Sequence, residues 1–337
     1  MRAYSLRQYP SYGYLLHLWG MNRQGLWASA PRVEITGRVH GYRLRLDLSD
    51  FFQRIAYFVG GFHELDVLAA VAACLRPGDA FVDGGANIGL VTLHGARIVG
   101  PDGAVDSFEC NPRVFQRLCW HVEENSLTYV RAHALGLGEH ASELTVRMPG
   151  IDNAAAATLG NVPGRYGAHN KVIGTAQVRP GDSVLARDDE RPLTIKLDIE
   201  GFEMHALRGL IGTIDRRSPA IIVEVNPEML GHCGSHPMEL FHMLWPRGYH
   251  PFALDLEGWR GKHRLKLQPL WNDEFLREKD VLWVKRGSVH WHRLAPLMQP
   301  RTVFWRDSLR EFIEKRRETW ERRMKVWRLS KVVRRVM

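Results

Sequence analysis

The run Asp83-Gly84-Gly85-Ala86-Asn87-Ile88-Gly89 and the lone acid Glu109, twenty residues after Gly89, have the layout of a nucleotide-like ligand site. Apolar Phe81-Val82 leads into the run, which reads as a strand end, a tight glycine turn and a helix start. Glycines at such a turn let a ligand approach the backbone. An acid ending the next strand, Ala104 to Phe108, accepts hydrogen bonds from ribose hydroxyls. The Gly-x-Gly-x-x-Gly spacing of a pyrophosphate site is absent. Asp83 leads the turn instead, where a carboxylate repels a pyrophosphate and suits a cationic amine. The methionine part of S-adenosylmethionine carries such an amine. Each residue also has a purely structural reading. The glycines then serve packing only, and Glu109 is an exposed strand-end acid before a helix capped by Asn111, with Pro112 at its first position.

A second group of acids lies in Ile195-Lys196-Leu197-Asp198-Ile199-Glu200-Gly201-Phe202-Glu203. Apolar strand residues deliver Asp198 and Glu200 to the carboxyl edge of a sheet, where ligands of open α/β sheets bind. Two carboxylates so close can raise one another's pKa and yield a general base, or hold a divalent metal with water. As turn and capping acids they would be structural. Glu203 reads as a first-turn acid that satisfies the helix dipole. Glu224 interrupts the apolar run Ile221-Ile222-Val223 and needs a partner or solvent, either as a core acid or as an active-site edge residue. His205 reads as a packed or exposed histidine.

These residues need elements to hold them. Val33–Ile35 and Tyr42–Leu48 are expected as a hairpin turning at His40-Gly41, and His63–Leu75 as a helix stopped by Arg76-Pro77-Gly78-Asp79. Strands at 80–83, 104–109 and 129–134 then alternate with helices at 89–98 and 112–124. Residues 136–180 break the rhythm with a strand-like Glu143–Met148 and a Gly/Ala/Asn-rich stretch from Gly150 to Gly174. A long insertion of this kind is a disordered surface loop or an acceptor-binding lid, with Asp152, Asn153 and Tyr166 as candidate contacts. Alternation resumes with Leu193–Leu197, Glu203–Ile211, Ala220–Val225 and Pro237–Trp245, and ends in strands near Tyr249–Leu254 and Val281–Lys285. The pattern predicts an α/β, doubly wound, mostly parallel sheet with helices on both faces.

The 337-residue chain is 45% apolar and 25% charged, which excludes a disordered class. Cys74, Cys110, Cys119 and Cys233 have neither metal spacing nor a disulfide framework, which fits a reducing compartment such as the cytoplasm. No signal peptide or membrane span is expected. The net charge of +9 sits almost wholly in residues 301–337, where 13 Lys/Arg face 5 Asp/Glu. Leu309, Phe312, Ile313, Trp320, Met324 and Trp327 form an apolar helical stripe there, ringed by arginines. Such a helix packs on its own domain or on a partner subunit of a homo-oligomer. A peripheral membrane surface is the alternative, and nucleic acid a third.

Asp83 to Gly89, Glu109-Cys110-Asn111-Pro112, Ile195 to Gly201 and Val223-Glu224-Val225-Asn226-Pro227 together resemble the FkbM family of S-adenosylmethionine-dependent methyltransferases over about Tyr42 to Leu254. Gly84, Cys110 and Phe202 depart from the Val, Pro and Ala common in that family. The resemblance implies a seven-strand methyltransferase (Rossmann-like) sheet with one antiparallel strand, supplied by Val281–Lys285. It divides the chain into an N-terminal extension with the hairpin (1–62), the methyltransferase domain (63–290) and the basic C-terminal helix (291–337). It implies methyl transfer to a hydroxyl of a glycan, glycolipid or other small molecule; the candidate catalytic pair, Asp198 and Glu200, comes from the residues themselves. Asp83, Gly85, Asn87 and Gly89 would cradle the methionine part and Glu109 the ribose, with Asn111 beside it. Glu64 would reach toward the cofactor from the segment before the fold. A nucleic-acid methyltransferase is disfavoured: Asp198-Ile199-Glu200-Gly201 stands where an amino-group methylase resembles Asn/Asp-Pro-Pro-Tyr, and no cysteine is placed as a nucleophile. A non-catalytic scaffold is disfavoured by the acids at 83, 109, 198 and 200.

Overall fold

The computed structural model describes residues 20–21, 23–59, 64–149, 158–160, 170–186, 189–259, 262–271, 273–277 and 279–299. Met1–Gln299 forms one compact unit and Pro300–Met337 a second, which lies wholly outside the described residues. The expected basic helix, Gly61-Phe62-His63, and Asp152, Asn153 and Tyr166 of the insertion lie outside them too.

The first described elements are the hairpin β1 (Arg32–Thr36) and β2 (Arg43–Asp47), then helices α1 (Phe51–Val59) and α2 (Leu65–Cys74). Strands β3 (Ala80–Gly84), β4 (Ala104–Phe108) and β5 (Val130–His133) alternate with α3 (Leu90–Val99) and α4 (Pro112–Glu124). A three-stranded sheet follows, made of β6 (Leu135–Leu137), β7 (Ser142–Pro149) and β8 (Asn170–Arg179). Then come α5 (Gly181–Val184), β9 (Leu193–Leu197), α6 (Glu203–Gly209), α7 (Ile211–Arg217), β10 (Ala220–Glu224), α8 (Pro227–His232) and α9 (Met238–Leu244). Strands β11 (Tyr249–Trp259), β12 (Lys262–Pro269) and β13 (Asp280–Lys285) and helix α10 (Val289–Leu294) complete the unit.

The main sheet runs β12-β11-β13-β10-β9-β3-β4-β5. Pairing is parallel from β10 through β9, β3 and β4 to β5, and β13 lies antiparallel between β10 and β11. This is the expected doubly wound α/β sheet with its reversed strand near 281–285. The sheet has eight strands rather than seven: β12, which was not expected, adds antiparallel to β11. Leu265 and Leu267 alternate there with Arg264 and Lys266, a short half-buried strand pattern that the sequence carried.

Central strands are buried on both faces, so β3, β9 and β10 are buried at every position. Their side chains feed two separate cores by strict alternation. Val82, Ile195, Val223 and Trp283 enter one layer; Phe81, Ala220, Ile222 and Leu282 enter the other. The hairpin is part of that second core, since Leu44 and Leu46 pack in it with Phe81. His121 of α4 fixes the hairpin: its Nε2 accepts from the Arg45 N–H at 2.8 Å, and Nδ1 donates to the Ile88 carbonyl at 2.7 Å. Helix α1 was not expected from the aromatic-rich sequence. Its cap was nevertheless visible in Asp50, whose Oδ1 accepts from the Gln53 N–H at 3.1 Å.

Leu46 is 0% exposed, so Leu46→Ala should cost about 2–5 kcal/mol in urea unfolding, with one cooperative transition. A separate early transition would show the hairpin to be an independent appendage.

Candidate active site

A cavity of about 290 Å³ lies over the carboxyl ends of the parallel strands, lined by residues that follow β3, β4 and β9 and by Glu224 ending β10. The strand order reverses between β3 and β9, which is where open α/β sheets bind ligands. The glycine turn crosses this point. The N–H groups of Gly85 and Ala86 both donate to the Phe108 carbonyl, at 3.0 and 2.9 Å, so the turn folds over the end of β4. Gly85 has φ +76°, and a Cβ on it would lie 1.8 Å from the Asp198 carbonyl oxygen. Backbone therefore forms this part of the wall, and only glycine permits it.

Glu109 stands on the wall and is 8% exposed. Its Oε2 accepts from the Asn87 N–H at 2.8 Å and its Oε1 from the Asn111 N–H at 2.6 Å. Burial pushes its carboxyl up to about 7, against the pull of those two N–H donors. One carboxylate thus joins the glycine turn to the start of α4, and it keeps lone pairs for hydroxyl donors. Asn87 also lines the cavity, and its Oδ1 is buried with no hydrogen-bond partner among the described residues. A glycine backbone wall, a carboxylate with spare acceptor capacity and an unpartnered amide oxygen fit the ribose and amino-acid ends of S-adenosylmethionine.

Three of the expected cofactor residues do not reach the cavity wall. Asp83 is 0% exposed; Thr92 Oγ1 donates to its Oδ2 at 2.6 Å, and Lys196 Nζ stands 3.5 Å from its Oδ1. The cation beside Asp83 within the chain is Lys196. Asn111 is buried as the cap of α4, its Oδ1 accepting from the Arg113 N–H at 3.1 Å. Gly89 starts α3 at φ +90° with its back to α4: a Cβ there would meet Leu118 Cδ1 at 2.6 Å. Gly85, Asn87, Glu109 and Glu64 do line the cavity, the last accepting from Lys279 Nζ at 2.6 Å.

Asp198 and Glu200 meet on the same wall, as their spacing predicted. Glu200 takes the left-handed backbone, φ +53°, which is unfavourable for a side-chain-bearing residue. Its carbonyl accepts from Thr158 Oγ1 at 2.8 Å, so a residue 42 positions away holds the turn. Burial, then the Asp198 and Glu203 carboxylates, push the Glu200 carboxyl up to about 8; Lys279 opposes them. Glu203 is structural as expected, its Oε1 accepting from the N–H groups of Ile199 (2.9 Å) and Gly201 (3.2 Å). His205 packs on Phe202 and pairs with the Cys233 carbonyl at 3.0 Å. Among the described residues no three His, Cys, Asp or Glu side chains are grouped to hold a metal ion.

Lys196 is the residue the sequence reading passed over. Its side chain is 5% exposed, and Nζ lies 3.5 Å from both Asp83 and Asp198 carboxylates. Burial works against its charge, but Asp198 and Asp83 outweigh it and hold the ammonium charged above its usual range. A lysine inside the apolar strand Leu193–Leu197 was a visible signal, because a buried cation requires acids. Phe52 and Gln53 of α1, Leu135–Leu137 of β6, Leu159 and Lys279 also line the cavity. Nothing local in the sequence marked them.

The model of the methyltransferase FkbM domain matches residues 83–251, half of the chain. Methyltransferase 1 of Beauveria bassiana is 30% identical over 149 residues, covering 40% of this chain and 59% of that protein. The solved FkbM methyltransferase of Methylobacillus flagellatus aligns over 70% of this chain and 61% of its own, at 16% identity and a TM-score of 0.36. Fibrillarin of Aeropyrum pernix, solved with natively bound S-adenosylmethionine, aligns over 65% of this chain and 73% of its own, at 13% identity and a TM-score of 0.33. The chain thus spans about three fifths of the curated relative and of the FkbM structure. It belongs to the FkbM methyltransferase family, with S-adenosylmethionine as the cofactor.

Proposed function

We propose that this protein is an O-methyltransferase whose acceptor is a hydroxyl of a carbohydrate, glycolipid or other natural product. The observation that carries the reading is Glu200: a carboxyl on the cavity wall, raised to about 8, beside the glycine turn. When bound, S-adenosylmethionine supplies an activated methyl group on a sulfonium. A hydroxyl is a poor nucleophile while it keeps its proton, so the protein must supply a base at the acceptor oxygen. A carboxylate with raised proton affinity is matched to that task. Glu200 accepts the proton, and the Thr158 hydroxyl holds the backbone that aims it. Glu109 and the Gly85 backbone orient the donor side, and orientation accounts for much of the acceleration.

The charge of the cavity supports a neutral acceptor over a nucleic acid. Glu64, Glu109, Asp198, Glu200 and Glu224 line it, and its two lysines, Lys196 and Lys279, are already paired with acids, so the wall offers a phosphate no spare cation among the described residues. No helix among the described residues is long and apolar enough to cross a membrane. We infer that any lipid-linked acceptor is met at a membrane surface through residues 301–337.

Calorimetry with S-adenosylhomocysteine should show binding to the intact protein and on the order of tenfold weaker binding to Glu109→Ala. No binding to the intact protein would sink the reading. In an assay of S-adenosylhomocysteine release over a panel of glycosides, glycolipids and polyols, Glu200→Gln should keep cofactor affinity and lose about 10²–10⁴-fold in turnover. Equal turnover removes Glu200 as the base. A base works only when deprotonated, so wild-type turnover should fall as pH drops below about 8, with the inflection moved lower by the bound cationic cofactor. A flat profile between pH 6 and 9 contradicts the assignment.

A further inference from the structure

Gln53 of α1 lines the cavity and is 4% exposed. Its Oε1 is held from two sides: it accepts from the Asp47 N–H at 2.8 Å and from Arg117 Nη1 at 2.7 Å. Two donors on one atom fix it as the amide oxygen, so the NH2 end has one place left. That Nε2 donates to nothing among the described residues, yet it is not sealed in the interior. The amide oxygen ties α1 to β2 and α4, and the amide nitrogen opens onto the cavity.

The residue type sharpens this. A glutamate would make the same two bonds, and the one to the guanidinium more strongly. What glutamine adds is a neutral NH2 with two N–H donors. The guanidinium on Oε1 polarises the amide and strengthens those donors. Lys196 and Lys279 on the same wall are engaged with acids, so an anionic group of a ligand depends on neutral donors such as this one.

Helix α4 fixes where the donor stands. Arg117 holds Gln53, and the next residue, Leu118, is what a Cβ on Gly89 would meet at 2.6 Å. One turn on, His121 Nδ1 donates to the Ile88 carbonyl at 2.7 Å. One stretch of α4 thus carries both Gln53 and the glycine turn. The Asp198–Glu200 turn follows β9, on the other side of β3 from β4 and α4. Gln53 therefore belongs to the donor half of the cavity. Asp50 lies beside it on the wall, its Oδ1 accepting from the Gln53 N–H at 3.1 Å. The amino-acid end of S-adenosylmethionine is a zwitterion, and an acid next to an amide donor complements it. Of its two charged groups, only the carboxylate can accept from an NH2.

We propose that Gln53 binds the carboxylate of S-adenosylmethionine through its side-chain NH2, with Arg117 and the Asp47 backbone aiming the amide. The proposal rests on the cofactor and is independent of the acceptor. It makes α1, which precedes the methyltransferase sheet, part of the cofactor site.

The test is calorimetry on the full chain, wild type against Gln53→Glu. The ligands are S-adenosylhomocysteine, its carboxamide, and 5′-methylthioadenosine, which lacks the amino-acid end. Glutamate keeps an acceptor for Asp47 and Arg117 and replaces only the NH2. S-adenosylhomocysteine should bind the variant about tenfold more weakly than wild type. Methylthioadenosine should stay within about twofold. The carboxamide, whose NH2 can donate to a carboxylate, should bind the variant at least as well as it binds wild type. Equal weakening of S-adenosylhomocysteine and methylthioadenosine overturns the proposal, because Gln53 then serves the fold or the adenosine end. Unchanged S-adenosylhomocysteine binding overturns it too, and moves Gln53 to the acceptor side. Failure of the wild type to bind any of the three ligands is a different result: it overturns the cofactor assignment, and this proposal with it.

Discussion

The backbone at the end of β3 touches the backbone at the end of β9: a methyl group at Gly85 would sit 1.8 Å from the Asp198 carbonyl oxygen. Lys196 lies under this contact, with Nζ 3.3 Å from the Gly85 carbonyl and 3.5 Å from each of Asp83 and Asp198. Asp83 and Lys196, 0% and 5% exposed in their side chains, carry a desolvation cost that is recovered only when their geometry holds. The contact and the buried cation beneath it bring the glycine turn and the acidic turn side by side to one cavity. Without that approach the donor-binding wall and the candidate base would belong to separate surfaces.

Three longer ties keep the arrangement in place. Glu109 joins the glycine turn to the cap of α4 through two backbone N–H groups. His121 joins the same turn to the N-terminal hairpin. Thr158 joins the region between β7 and β8 to the Glu200 carbonyl and is 1% exposed. Each spans dozens of residues, so the cavity is assembled from the hairpin region, the sheet edge and the smaller sheet together. The backbone strain at Glu200 is sustained because partners from elsewhere in the chain fix it.

The electrostatics follow from crowding. Carboxyls outnumber cations around the cavity, and burial raises the proton affinity of Glu109, Glu200, Glu203 and Glu224 alike. The same environment serves different ends. Glu203 Oε1 accepts from two backbone N–H groups, and Glu109 accepts from backbone through both oxygens while it lines the cavity. Glu200 and Glu224 face the open space. A cationic cofactor entering such a site lowers the proton affinity of the carboxyls nearest to it.

Local pattern was enough for the sheet and for part of the site. Apolar runs bounded by turns located β3, β4, β9 and β10, and their shared carboxyl edge located Gly85, Asn87, Glu109, Asp198 and Glu200, because strand period and strand end are properties of a short segment. The two-residue alternation of β12 and the helical period of α1 were present in the sequence but short, and Glu64 came from a family resemblance alone. Which way a strand-end acid points is a different matter. Asp83 and Glu109 read alike in the sequence, yet one turns under the sheet to Thr92 and Lys196 and the other lines the cavity. Glu224 read equally well as core or edge, and the fold puts it on the cavity wall. The residue types and their strand positions were written in the chain; the orientation, the buried lysine's partners and the contribution of Thr158 and α1 arose from packing between segments far apart in sequence.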